Sequence, residues 1–169
     1  MKTFYRYALY LILPVLLLMP GCMQKRVPPD MNLKLDKYVA FWNTGNFEGI
    51  EQVLHPDFEL RMTPNFEPEK GIDTFRETVT KWRNAYPDFN ITIGELLYDR
   101  EKVAVRWTIT ATNNGPGWHP PTGRQVKVPG MSIIHFREEK IVDEWIAGNN
   151  GYWLHQLGFA LVSPFEKEQ

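Results

Sequence analysis

Along the first part of the chain the apolar residues Leu35, Tyr38, Val39 and Trp42 recur at i, i+3, i+4 and i+7, which predicts one buried face of a helix. Asp30 or Asn32 can cap it, and Asn43-Thr44-Gly45-Asn46 stops it. Ile50, Val53 and Leu54 share a face of a short second helix that ends at His55-Pro56. Phe58, Leu60 and Met62 alternate with polar residues and predict a strand, with a loop from Pro64 to Gly71. Phe75, Val79, Trp82 and Tyr86 then predict a third helix, terminated by Pro87.

Beyond Pro87 the period changes to two. Ile91, Ile93 and Leu96 to Tyr98 predict one strand, and Val103, Val105, Trp107, Ile109 and Ala111 one face of a longer one. Asn113 to Arg124, NNGPGWHPPTGR, reads as a Gly/Pro loop. Strands at Gln125–Phe136 and Ile141–Ile146 are joined by the tight turn Arg137-Glu138-Glu139-Lys140. Leu154 and Leu157 belong to a closing helix ended by Gly158. Helices first and a long antiparallel meander afterwards predict an α+β fold, its sheet curled into a cone around the helices with a pocket at the open end. Pro129-Gly130 inside a strand predicts a bulge or a sharp bend.

The N-terminus changes this picture. Lys2 and Arg6 precede the apolar run Ala8–Met19, which is too short for a spanning helix of roughly 18 residues or more and has the form of a secretory signal. Leu18-Met19-Pro20-Gly21-Cys22 resembles a bacterial lipoprotein cleavage box, with Cys22 as the lipidated first residue of the mature protein. The expected organisation is a signal over residues 1–21, a lipidated tether over 22–30, one domain over 31–163 and a disordered tail over 164–169. The protein is then exported and anchored to a bacterial membrane through lipid, with a soluble domain. Cys22 is the only cysteine, so no internal disulfide can form. The formal charge of the whole chain is −1, with no basic stripe, so nothing points to nucleic acid.

The stretches FWNTGNFEGIEQVLHPDF, GIDTFRETVTKWRNAYPDFNITIGELL, HPPTGRQVKVPGMSIIHF, EKIVDEW and HQLGF, from Phe41 to Phe159, together resemble the SnoaL-like polyketide cyclase (ester cyclase) branch of the nuclear transport factor 2-like superfamily. The resemblance implies a bent sheet and helices around a deep pocket. It also implies chemistry without metal or cofactor, in which a proton next to a carbonyl is removed and the enolate closes a ring. The family's acid/base aspartate lies nine residues before the glycine of its QLG motif, and here that position is Asn149. An amide can hydrogen-bond a ligand but cannot act as a general base.

Other residues are candidates for the proton transfer. Extending the tight turn as a regular hairpin sets His135 opposite Val142, and then His135 and Glu144 are diagonal neighbours on one face, a base with its orienter. Asp143 and Glu144 point to opposite faces, and the alternation does not say which one meets the pocket. His119 in the Gly/Pro loop, Asn149, Trp42, Trp107 and Trp145 are candidate ligand contacts. The four histidines show no metal-ligand spacing. The expected protein is a SnoaL-like lipoprotein, pairing as a homodimer, that binds a small hydrophobic carbonyl or ester compound and catalyses cyclase-, isomerase- or hydrolase-like proton transfer. The alternative is a non-catalytic ligand-binding or dimerising lipoprotein.

Overall fold

The computed structural model describes residues 29–62, 67–160 and 162. Cys22, the signal and the tail from 164 lie outside them. The elements are α1 (Pro29–Thr44), α2 (Ile50–Val53), β1 (Leu54–Met62), β2 (Glu69–Lys70), α3 (Ile72–Ala85), β3 (Asn90–Asp99), β4 (Lys102–Thr112), β5 (Gln125–Arg137), β6 (Lys140–Gly148) and α4 (Asn150–Gln156). The six strands form one sheet in the order β2-β1-β6-β5-β4-β3. All neighbours are antiparallel except β1 and β6, which run parallel. This is the α+β cone, with α1 and α3 against its inner face.

The helical stripes are the ones the spacing predicts. Leu35, Tyr38 and Trp42 of α1 and Phe75 and Val79 of α3 are buried. Phe75 is the centre of an aromatic cluster, with Tyr38 stacked at 5.3 Å and Trp42 and Phe58 edge-on at 5.5 and 5.4 Å. Aromatic contacts of this kind fill one end of the cone and add to its area burial. The other end stays hollow.

Three local features differ from the regular pattern. His55-Pro56 does not end a helix but lies in the irregular start of β1, where pairing to β6 jumps from Leu54–Ile141 to Glu59–Asp143. Pro129-Gly130 makes no register shift: β5 pairs with β4 continuously from Gln125 to His135. Pro129 lies just past the last β6 partner, Gly148 opposite Gly130, so its missing donor falls where β5 has a single neighbour.

The bulge lies instead in β6. Glu138 and Glu139 both take left-handed φ, 51° and 60°, the backbone of a two-residue hairpin turn, and Phe136 pairs with Ile141 as the turn requires. The next pair is His135 with Asp143, leaving Val142 as the extra residue. A one-residue slip sends every later side chain of β6 to the other face.

Candidate functional site

That slip decides which acid meets the interior. Glu144 pairs with Ile134 on β5 and with Leu60 on β1, both buried, and is itself 5% exposed. Asp143 lies on the outer face, where its Oδ1 is 2.8 Å from His135 Nδ1. The His135–Glu144 pair expected from a regular hairpin is therefore not formed: the two residues are on opposite faces of the sheet. His135 has a half-exposed side chain outside the cavity.

Glu144 lines a cavity of about 440 Å³, within the range of roughly 300–1,000 Å³ usual for small-molecule sites. Its walls are mostly apolar, with Ile91, Ile93, Val105, Val128, Ile134 and Ile146 from the sheet and Tyr38 and Trp42 from α1. Tyr38 Oη donates to Glu144 Oε2 at 2.5 Å. Ser132, also buried, hydrogen-bonds the same carboxyl and accepts from Trp107 Nε1 at 2.8 Å. Trp107, Ser132, Glu144 and Tyr38 thus form one chain of hydrogen bonds from the cavity wall to its floor.

Burial pushes the Glu144 carboxyl above the ordinary carboxylate range. The hydrogen bonds from Ser132 and Tyr38 pull it partly back, and the charge of Asp143 adds a smaller upward push. Burial, then the charge of Glu144 and the hydrogen bond to it, hold the Tyr38 phenol well above its usual value. A carboxyl so placed holds its proton to higher pH than an exposed one, the property of a general acid/base group.

The exposed lining residues gather at the Gly/Pro loop and α4, which marks the mouth. Trp82 meets Trp118 edge-on at 4.8 Å and Trp153 at 5.3 Å, and Trp153 Nε1 donates to Tyr86 Oη at 3.0 Å. His119 lines the cavity here with its ring edge-on to Phe159 at 5.1 Å. Asn149 also borders the cavity, and its side chain caps a helix as well: at the N-terminus of α4 it accepts from the Tyr152 backbone N–H at 2.9 Å. Its amide N–H groups are what it can offer a ligand.

Of the three tryptophans proposed as contacts, Trp42 and Trp107 border the cavity. Trp145 does not. The Val142 bulge turns it outward, 52% exposed, into a row with Ile133, Ala104 and Leu97 across the outer face. Sequence reasoning missed Tyr38 and Glu69 as polar groups of the cavity, and the buried Ser132 that supports Glu144 from behind it. Tyr38 carried the only signal, a hydroxyl on an otherwise apolar helical stripe, which a buried position obliges to find a partner. Among the described residues no three His, Cys, Asp or Glu side chains form a metal-sized cluster.

A family model described as SnoaL-like polyketide cyclase matches residues 32–157, which takes in the whole sheet. Among solved structures, TsrD from Streptomyces laurentii has a TM-score of 0.68 at 23% identity, over 76% of this chain and 95% of its own. A SnoaL-like polyketide cyclase from Agrobacterium tumefaciens gives 0.64 at 22%, over 76% and 98%. TerC, co-crystallized with polyporic acid, gives 0.63 at 12%, over 77% and 99%. At these identities the likeness shows the shared cone-shaped fold. No curated protein matches the chain.

Proposed function

The chain belongs to the SnoaL-like polyketide cyclase family, and on that premise we propose that it takes a small hydrophobic carbonyl or ester compound into the cavity and moves a proton on it with Glu144. One observation carries this reading: the cavity holds, among apolar walls, a buried carboxyl whose proton affinity burial has raised. As carboxylate, Glu144 takes the proton from the carbon next to the carbonyl, and the electron pair moves to the carbonyl oxygen as an enolate. Return of the proton to another carbon isomerises the compound, whereas attack of the enolate carbon on a second carbonyl closes a ring, and the proton held by Glu144 passes to the alkoxide so formed. Tyr38 and Ser132 fix the carboxyl's orientation and share its charge. The Asn149 amide at the mouth is a candidate donor to the enolate oxygen.

A second reading, binding without turnover, is favoured by Asn149 itself. Its carbonyl oxygen is committed to the helix cap, and it stands where the family's acid/base aspartate is expected. Deuterium exchange at the α-carbon of hydrophobic ketones and esters, followed by mass spectrometry in heavy water, separates the two. Saturable exchange by the protein and its loss in Glu144→Gln are expected. Binding with no exchange by the wild type hands the site to the second reading.

The same proposal includes export and anchoring through Cys22, supported by the cleavage box alone. Cys22→Ser is expected to release the protein from membranes, and a variant that stays in detergent-free membrane fractions refutes the anchor. Pairing of two copies through the outer face is supported by the exposed row of Leu97, Ile133 and Trp145, an apolar strip of the kind that marks interaction surfaces.

A further inference from the structure

The cavity contains a second carboxylate. Glu69 belongs to β2, a strand of two residues, and lines the same cavity as Glu144. The register fixes their relation. Leu60 of β1 pairs with Glu69 on one side and with Glu144 on the other, so the three residues form a single row across the sheet, with one strand between the two acids. Partners in register share a face, and both acids border the same cavity. With neighbouring strands roughly 4.8 Å apart, their backbones are about 10 Å apart.

Each acid is held from the helical layer by one buried hydroxyl. Tyr38 of α1 donates to Glu144, and Thr78 of α3 donates to Glu69 at 2.5 Å. Thr78 is one of four buried polar or charged side chains among the described residues. Its hydroxyl fixes the direction of the Glu69 carboxylate as Tyr38 fixes that of Glu144. An acidic side chain on an edge strand has no need of such an orienter for solubility, since water would serve it.

We propose that Glu69 is a second ligand-binding residue of this cavity, and that the ligand carries two hydrogen-bond donors on opposite sides of one ring, one for each carboxyl group. The span supports this size. Hydrogen bonds between oxygens take up about 2.7 Å each, so roughly 5 Å of the 10 Å row remains for the ligand, the width of a six-membered ring bearing oxygens at opposite carbons. Met62 and Ile146, the next inward pair along β1 and β6, supply apolar cavity wall beside that row. The inference rests on the cavity being the ligand site, as proposed above, and does not depend on turnover.

The test compares phenylhydroquinone, with two opposed hydroxyls on one ring, and 4-phenylphenol, with one, by isothermal titration under nitrogen. The wild type is expected to prefer the diol by about ten-fold or more, the usual worth of a hydrogen bond to a charged group. Glu69→Leu is expected to erase that preference, while Glu69→Gln, which keeps shape and one acceptor, retains part of it. Equal affinities in the wild type, or a preference that survives Glu69→Leu, overturn the role of Glu69, and so does failure of both phenols to bind. The α-carbon exchange assay decides proton transfer by Glu144 separately, so the two proposals can fail independently.

Discussion

Gly130→Ala perturbs the site without touching any ionisable group. A Cβ at Gly130 would lie 2.0, 2.4 and 2.5 Å from Cη2, Cζ2 and Cζ3 of Trp107, the residue directly opposite on β4. Trp107 is buried, and its Nε1 is tied to Ser132, so the indole can yield only by giving up that bond. Overpacking of this kind costs about 1–3 kcal/mol, and the lost hydrogen bond adds about 1 kcal/mol. The sum of about 2–4 kcal/mol corresponds to a fall in Tm of about 4–16 °C for a chain of this length. Urea unfolding followed by far-UV circular dichroism measures the first figure. Trp107→Phe removes the clashing outer ring, so the double variant is expected to recover part of the loss, with a coupling of at least about 1 kcal/mol. A Gly130→Ala protein within about 0.5 kcal/mol of the wild type, or strictly additive variants, would show that the close approach of indole and backbone does not exist.

Glu144 titrates above the ordinary carboxylate range in the folded state, so its contribution to stability is complete in acid below that range and is lost as pH rises through the folded pKa. Glu144→Gln removes this loss: its Tm advantage over the wild type is expected to be larger at neutral pH than at about pH 4, and a difference that does not change with pH refutes the burial of a titrating acid. Asn149→Asp keeps the cap, since aspartate accepts the same N–H, and adds a charge favoured at a helix start by about 0.3–1 kcal/mol; a fall in Tm would mean that the cap geometry is wrong. Trp145→Glu places a charge in the exposed outer row and is expected to convert a dimer to a monomer in sedimentation velocity runs while cavity binding persists. A wild type that sediments as a monomer at the highest concentration removes that role for the outer face.

The helices and the cone were legible because the physics that forms them is local. The spacing of Leu35, Tyr38 and Trp42, and of Phe75 and Val79, is set by one period and one buried direction. The site was only partly legible because its decisive feature is a single extra residue. The turn at Glu138-Glu139 predicts the Phe136–Ile141 pair correctly, but nothing in IVDEW distinguishes a regular β6 from one bulged at Val142. The contacts that go with the bulged register are remote in sequence: the parallel pairing to β1 and the Tyr38 hydroxyl, 106 residues away. The bulge carries Glu144 in and Trp145 out, so a wrong register also misplaced His135. Glu69 was invisible for another reason, since a strand of two residues has no period to read.

The change from the family's expected acid to Asn149 gains a physical meaning once Glu144 is seen on the inner face. A carboxylate at the start of α4 would accept a backbone N–H and feel the positive end of the helix, and both interactions favour its charged form. Such an acid gives up its proton readily and is a weaker base. Glu144 is in the opposite condition, with burial as its largest influence and raised proton affinity as the result. The amide at 149 keeps the cap that positions α4 and Trp153 at the mouth, and it does so without adding a negative charge there. Structural work at the mouth and proton affinity at the floor thus fall to different residues. Loss of the acid at 149 is then compatible with turnover, and whether this chain is an enzyme depends on Glu144.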